Sequence, residues 1–291
     1  MITTEFKRIE QPCYSPQTIL HYIHDLQLFK KAVAQPWETL HKKDVGAFVE
    51  RQLQQTCSAR TINRRLHAIK GFYRFLNEEE DAQLQVPVKS SHFIRVGRPL
   101  PKNLNDPQIE QFFATLTDIR DRTLFTLMLH CGLRVAEVAQ LKYEEVNIFA
   151  QEIRFFGKGR KERCVPLSNE TLALVKKCIQ IRPSSAPLFF WNKKQPTEPI
   201  KINSIQRLLK RYAQKAHMDL HCHLLRHTFA RQMTEKGMPR TVLRDLMGHA
   251  SISSTDVYGK LSDPFVKETY FNAMEKIECE FYLKNVPIKN Q

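Results

Sequence analysis

Apolar residues recur at helical spacing along nearly all of this sequence, and only between Ile148 and Leu167 does the period shorten to that of paired strands. A chain patterned in this way is mainly α. The first helix is expected from Ser15 to Phe29, where Ser-Pro-Gln-Thr makes a capped start and Ile19, Leu20, Ile23, Leu26 and Phe29 follow at helical spacing. Two more fit Lys42 to Gln55, with Val45, Phe48, Val49 and Leu53 apolar, and Ala59 to Asn77, with Ile62, Leu66, Ile69, Phe72, Tyr73 and Leu76 apolar. The pattern dissolves between Val86 and Pro101, where three prolines and one glycine leave no sustained period. The expected division is therefore an all-helical domain over residues 1–88, a linker over 89–102 and a second domain over 103–291.

The second domain opens on Asn105-Asp106-Pro107, a good helix start, and continues through apolar helices at Ile109 to Leu116 and Asp121 to Cys131. Ile153 and Phe155, the turn Gly157-Lys158-Gly159, then Cys164, Val165 and Leu167 read as a β-hairpin whose tip carries Lys158, Arg160, Lys161 and Arg163. Helices resume at Asn169 to Ile181 and Ile202 to His217, so this domain is α+β, mostly helical with a small hairpin or sheet. No internal repeat is present.

Charge narrows the partner. Lys and Arg number 45 against 30 Asp and Glu, a net +15, which points to a polyanion. No apolar run approaches the ~18 to 20 residues of a spanning helix, and Met1 to Glu10 lacks the apolar core of a signal peptide. A cytoplasmic protein without membrane attachment is expected. The seven cysteines are odd in number and form no CxxC pair, against a disulfide framework or a zinc ribbon. On the third helix Arg60, Arg64, Arg65, His67, Lys70 and Arg74 form a basic face that suits phosphates, as well as a solvated helix surface. In the linker Arg95 and Arg98, and at the hairpin tip Arg160 and Lys161, are further candidates for touching a nucleic-acid backbone.

Four local features carry the chemistry: Gly132-Leu133-Arg134-Val135-Ala136-Glu137, the hairpin tip with Lys158, His223-Leu224-Leu225-Arg226-His227, and Gly248-His249 followed by Tyr258. Gly132 interrupts the helix ending at Cys131, so Arg134 projects from a new turn with Glu137 at i+3 to orient it. His223 and Arg226, also at i and i+3, share a helix face. Gly248 fits a helix C-cap, after which Ser251 could cap a short helix carrying Thr255 and Tyr258. Two guanidinium groups can clamp the non-bridging oxygens of a phosphodiester and neutralise a pentacoordinate phosphorus. A phenol with a solution pKa near ~10 needs that positive field and a nearby base to attack. The departing 5′-oxygen needs a proton, which Lys158 can supply. This chemistry calls for no metal and no nucleotide cofactor. A competing reading uses His223 and His227 at i and i+4, with Asp219, as transition-metal ligands, but no HExxH is present.

The order of these motifs resembles the tyrosine recombinase family, the phage-integrase and Xer group. Its pattern of a G-L-R-x-x-E box, a hairpin lysine, an H-x-x-R box, an L/M-G-H and a following tyrosine is matched by Gly132 to Glu137, Lys158, His223 to Arg226, Met247-Gly248-His249 and Tyr258. The first domain resembles that family's core-binding domain in Ser15 to Phe29 and in Thr61 to Leu66 and Phe72 to Leu76. The resemblance implies that Arg134, Lys158, His223, Arg226 and His249 assist Tyr258, which becomes linked to a DNA 3′-phosphate and leaves a 5′-hydroxyl. It also implies a tetramer on two double-stranded, inverted-repeat sites, strand exchange through a Holliday junction, and a C-terminal segment swapped between neighbours. Asp263 to Leu283, with Phe265, Val266, Tyr270, Phe271, Met274 and Ile277, is the candidate for that segment, or else a helix packing in its own subunit. With Ser15 already opening the first core-binding helix, no extra N-terminal domain is expected, which suits a simple two-domain enzyme. Two alternatives share these features: a type IB topoisomerase, against which His223 argues, and a DNA-binding protein on the same fold without catalysis.

Overall fold

The computed structural model describes residues 16–79, 83–97, 103–156, 162–248 and 263–285. The chain divides into two compact units, Met1–Pro99 and Leu100–Gln291. The first unit is helical among its described residues: α1 (Pro16–Val33), α2 (Lys42–Gln54) and α3 (Ala59–Glu79). Their apolar stripes meet in one core in which Leu26, Phe29, Phe48, Leu66, Phe72 and Tyr73 are buried. Tyr73 satisfies its hydroxyl inside that core by donating to the Trp37 carbonyl at 2.6 Å. The stretch from Val86 to Ile94, expected to run into a linker, is laid on this same unit: Val88 is buried, and Phe93 and Ile94 pack against the core. Asn63 fastens it by exchanging hydrogen bonds with the Ile94 backbone at 2.8 and 2.9 Å.

The second unit contains α4 (Asp106–Ala114), α5 (Ile119–His130), α6 (Val135–Gln140), β1 (Val146–Asn147), β2 (Glu152–Phe156), β3 (Glu162–Pro166), α7 (Asn169–Gln180), α8 (Ile202–Lys215), α9 (Cys222–Glu235), α10 (Arg240–Met247) and α11 (Asp263–Asn285). The start expected at Asn105 is a full capping box: Asn105 Oδ1 accepts from Gln108 N and Gln108 Oε1 accepts from Asn105 N, both at 3.0 Å. The central helix α5 is buried on nearly every side, Arg120 and Asp121 included. Those two charges are tolerated because they pair with each other, Arg120 donates to the Trp191 carbonyl, and Tyr212 donates to Asp121 at 2.9 Å.

The sheet has three antiparallel strands in the order β1-β2-β3, with Phe155 opposite Arg163 and Ile153 opposite Val165. The expected hairpin is thus present with one more strand, since Val146 and Asn147 add to the β2 edge and Ile148 lies in the turn between them. Against the sheet and α9 lies a second apolar cluster, in which Val266, Tyr270 and Met274 of α11 meet Phe229, Met233, Val242 and Leu246. In this single chain the candidate exchange segment therefore packs on its own unit. Lys267 strengthens that docking, pairing with the fully buried Glu152 and donating to the Ala150 carbonyl at 3.2 Å.

Candidate active site

Where α5 ends, Gly132 takes φ +63 with the Phe229 ring against it: an ideal Cβ there would lie 2.4 Å from Phe229 Cδ1. The left-handed turn needs glycine for its backbone and for its bulk. The turn delivers Arg134 to the N-cap of α6. There Glu137 reaches back, one oxygen accepting from Arg134 N at 2.7 Å and the other from Arg134 Nη1 at 2.9 Å. Backbone and guanidinium of Arg134 are thereby held by one carboxylate, with the remaining arm, Nη2, donating to the Gly248 carbonyl at 2.9 Å.

Arg226 comes from α9 and is 5% exposed. It donates to the carbonyls of Gly132 and Met247, and its Nη1 lies 3.9 Å from Glu137. Both turns that frame the site are therefore read by guanidinium groups. The second is the end of α10, where Gly248 caps the helix with φ +60 and leaves the Met247 and Gly248 carbonyls turned toward the arginines. His223 stands one turn before Arg226 on α9.

Arg163, from β3, completes the cluster. Its Nη1 and Nη2 donate to the two oxygens of Glu137 at 2.9 and 3.1 Å, and Nη1 also donates to the Met247 carbonyl at 3.2 Å. Sequence reasoning placed Arg163 in the basic hairpin but assigned it no part in the site. The available signal was alternation along the strand, which puts Arg163 on the same face as Val165, a fully buried residue.

One carboxylate faces three guanidinium groups, so the cluster keeps a positive excess. Burial by itself pushes the Glu137 carboxyl up, but the hydrogen bond and charge of Arg163, with the bonds from Arg134, bring it below the ordinary carboxylate value. Burial and the neighbouring Arg134 bring Arg226 down to about 10, partly offset by Glu137, which leaves it charged at neutral pH. Burial, then the nearby His227, His221, Arg226 and Arg134, depress His223, so it stays a neutral imidazole able to accept a proton. A half-exposed guanidinium, a buried one and a neutral imidazole in a positive field suit binding and activation of an anionic phosphodiester.

Of the other residues singled out by sequence, Lys158, His249 and Tyr258, and the backbone-contact candidates Arg98, Arg160 and Lys161, lie outside the described residues. Arg60, Lys70 and Arg95 are exposed. Arg64 pairs with the fully buried Asp25, and Arg65 lies 3.6 Å from the same carboxylate. Arg74 stands 3.7 Å from Glu78 on the exposed face of α3. Among the described residues, the group of three ligand-type side chains close enough for an ion is His130, Glu170 and Glu278, within 4.8 Å of one another, and not His223, His227 and Asp219. A cavity of about 440 Å³ adjoins that group, lined also by Phe113, Arg122 and Lys177, and none of the arginine cluster borders it.

The sequence model of the phage integrase family matches residues 102–263, and that of the phage integrase N-terminal SAM-like domain matches residues 9–80. The chain belongs to the phage integrase family. Among relatives of this tyrosine recombinase, XerA of Pyrococcus furiosus is 30% identical over 263 residues, covering 87% of each chain. XerC of Haemophilus influenzae is 29% identical over 283 residues, covering 92% of this chain and 94% of its own. In fold, the recombinase is similar to the Tn1549 transposon integrase in complex with circular intermediate DNA, with a TM-score of 0.69 at 17% identity over 95% of this chain and 97% of that one. A lambda integrase dimer bound to a core site gives a TM-score of 0.69 at 15% identity, over 90% and 98% of the two chains. The match of 102–263 takes in every catalytic position proposed from sequence, including those at 158, 249 and 258.

Proposed function

We propose that this protein is a site-specific recombinase that cuts and rejoins double-stranded DNA through a 3′-phosphotyrosine. The observation that carries the reading is the cage in which Arg134, Glu137 and Arg226 are fixed to one another and to the carbonyls of two glycine-capped turns. Arg134 and Arg226 grip the non-bridging oxygens and take up charge as the phosphorus becomes pentacoordinate. Tyr258 attacks, His223 receives its proton, Lys158 protonates the departing 5′-oxygen, and His249 supports the phosphate beside Gly248. The phosphodiester bond broken is replaced by a phosphotyrosyl bond, so reversal with a different 5′-hydroxyl joins new strands without an energy source.

The protein works in the cytoplasm as a homotetramer on two inverted-repeat sites, passing through a Holliday junction. In that assembly Asp263 to Leu283 leaves the docking it has in the single chain and takes the equivalent place on a neighbour. Arg60, Arg64, Arg65, Lys70, Arg74, Arg95, Arg98, Arg160 and Lys161 meet the DNA backbone. In the two arginines tied to Asp25, this contact requires the carboxylate to share their donors with phosphate.

The test is a supercoiled plasmid carrying two copies of a duplex that the protein itself selects from random DNA. Recombinant circles that appear only with both copies present support the reading. Relaxation of any plasmid without recombinants would make the protein a topoisomerase, and retention of the duplex without cleavage would make it a binding protein.

A further inference from the structure

The recombinase reading gives tasks to Arg134 and Arg226 but leaves the third guanidinium of the cluster unexplained. Arg163 is 13% exposed, sits 5.0 Å over the Phe155 ring, and holds both oxygens of Glu137 in the parallel two-bond geometry that guanidinium and carboxylate favour. Partly burying a third cation beside two others is unfavourable, and its Nε is left without a partner. An apolar residue opposite Phe155 would pack this strand at lower cost. The side chain instead crosses to Glu137 on α6 and to the last carbonyl of α10, joining three elements that no local sequence relation brings together. It passes so close to Gly248 that a Cβ there would lie 2.3 Å from Arg163 Nη1. The glycine at that helix end thus makes room for Arg163 as well as accepting a left-handed backbone.

We propose that Arg163 is a positioning residue for strand transfer: by clamping both oxygens of Glu137 and the Met247 carbonyl, it sets the spacing and direction of the Arg134 and Arg226 guanidinium groups. This rests on the recombinase reading of the same site. Glu137 touches Arg134 through two bonds and approaches Arg226 at 3.9 Å, so any rotation of its carboxylate is passed to both. Met247 O is shared by Arg163 and Arg226, and the adjacent Gly248 O is held by Arg134. Removing Arg163 frees one face of Glu137 and one of the donors on that helix end together. The charged groups facing Glu137 among the described residues are Arg134 from the N-cap of α6, Arg163 from β3 and Arg226 from α9. Without Arg163, the burial that pushes the Glu137 carboxyl up loses its largest single opponent.

The experiment is single-turnover cleavage of a nicked suicide duplex from about pH 5.5 to about pH 8.5, with thermal melting and duplex binding measured alongside. Arg163→Gln is expected to bind the duplex nearly as the wild type does and to cleave about 10- to 100-fold more slowly at neutral pH. Its rate is expected to fall further toward the acid end, because the Glu137 carboxyl has lost the partner that most lowers it. Arg163→Lys, which keeps a charge but one point of contact, is expected to be intermediate and to lack that acid limb. Glu137→Gln/Arg163→Gln is expected to be no slower than Glu137→Gln and to show no added pH dependence. If Arg163→Gln slows cleavage by the same factor at every pH, or its effect multiplies with that of Glu137→Gln, Arg163 is structural only and the proposal falls. If Arg163→Gln does not fold, Arg163→Lys decides: a wild-type rate in that folded variant overturns the clamp. A wild type that leaves no covalent product removes the recombinase reading itself, an outcome separate from any difference among the variants.

Discussion

Gly132 serves the site through what it lacks. A methyl group there would meet the Phe229 ring at 2.4 Å on a backbone already at φ +63. Gly132→Ala combines a left-handed cost of about 1–2 kcal/mol with overpacking of about 1–3 kcal/mol, so a loss of about 2–5 kcal/mol is expected in urea unfolding. Cleavage should fall by more than stability accounts for, since the Gly132 carbonyl is one of the two that Arg226 holds. The relation of Arg134 to Glu137 and of His223 to Arg226 could be read from sequence because each pair is one helical turn apart. Arg163 could not be placed in the same way: its partners lie 26 and 84 residues away, and only the fold brings a strand residue to a helix N-terminus and a helix C-terminus at once.

Among the elements, α11 is tied to the sheet by the ion pair of Lys267 with Glu152. Glu152 is fully buried, and although burial alone pushes its carboxyl up, the bonds from Lys267, Arg154 and Cys164 hold it below the usual range. Lys267→Ala leaves that carboxylate with Arg154 as its remaining cation and should cost about 2–4 kcal/mol, read as a lower melting temperature. The sign with pH follows from the lowered value. The contribution is present above the unfolded carboxylate pKa and is lost as the pH falls through the folded one, so wild type and Lys267→Ala should converge in acid. Equal melting temperatures at neutral pH would remove the pair from the docking of α11. Long elements were legible from their period, Lys42–Gln54 against an expected end at Gln55 and Asn169–Gln180 against Ile181. The two-residue strand β1 has no period to read, and α10 is only eight residues long between Pro239 and Gly248. The expected linker over 89–102 contains Phe93 and Ile94, apolar residues whose use became visible only with the core they cover.

At the scale of the molecule, a net charge of +15 and two units that both carry arginines predict binding dominated by phosphate contacts. Affinity for a duplex should fall by about 10³- to 10⁵-fold between about 50 mM and 200 mM salt if some six to ten phosphates are neutralised. A flat dependence would contradict DNA held along its backbone by both units. In the chain as a whole, no described helix is long and apolar enough to cross a membrane. The charge excess suits DNA, the polyanion on which a recombinase of this family acts. The most direct measurement is the attachment point of the cleaved strand. A nicked suicide duplex incubated with the wild-type protein and digested to peptides should leave its 3′-phosphate on the peptide containing Tyr258, and Tyr258→Phe should leave none. An adduct on another residue, or one that persists in Tyr258→Phe, would contradict the account.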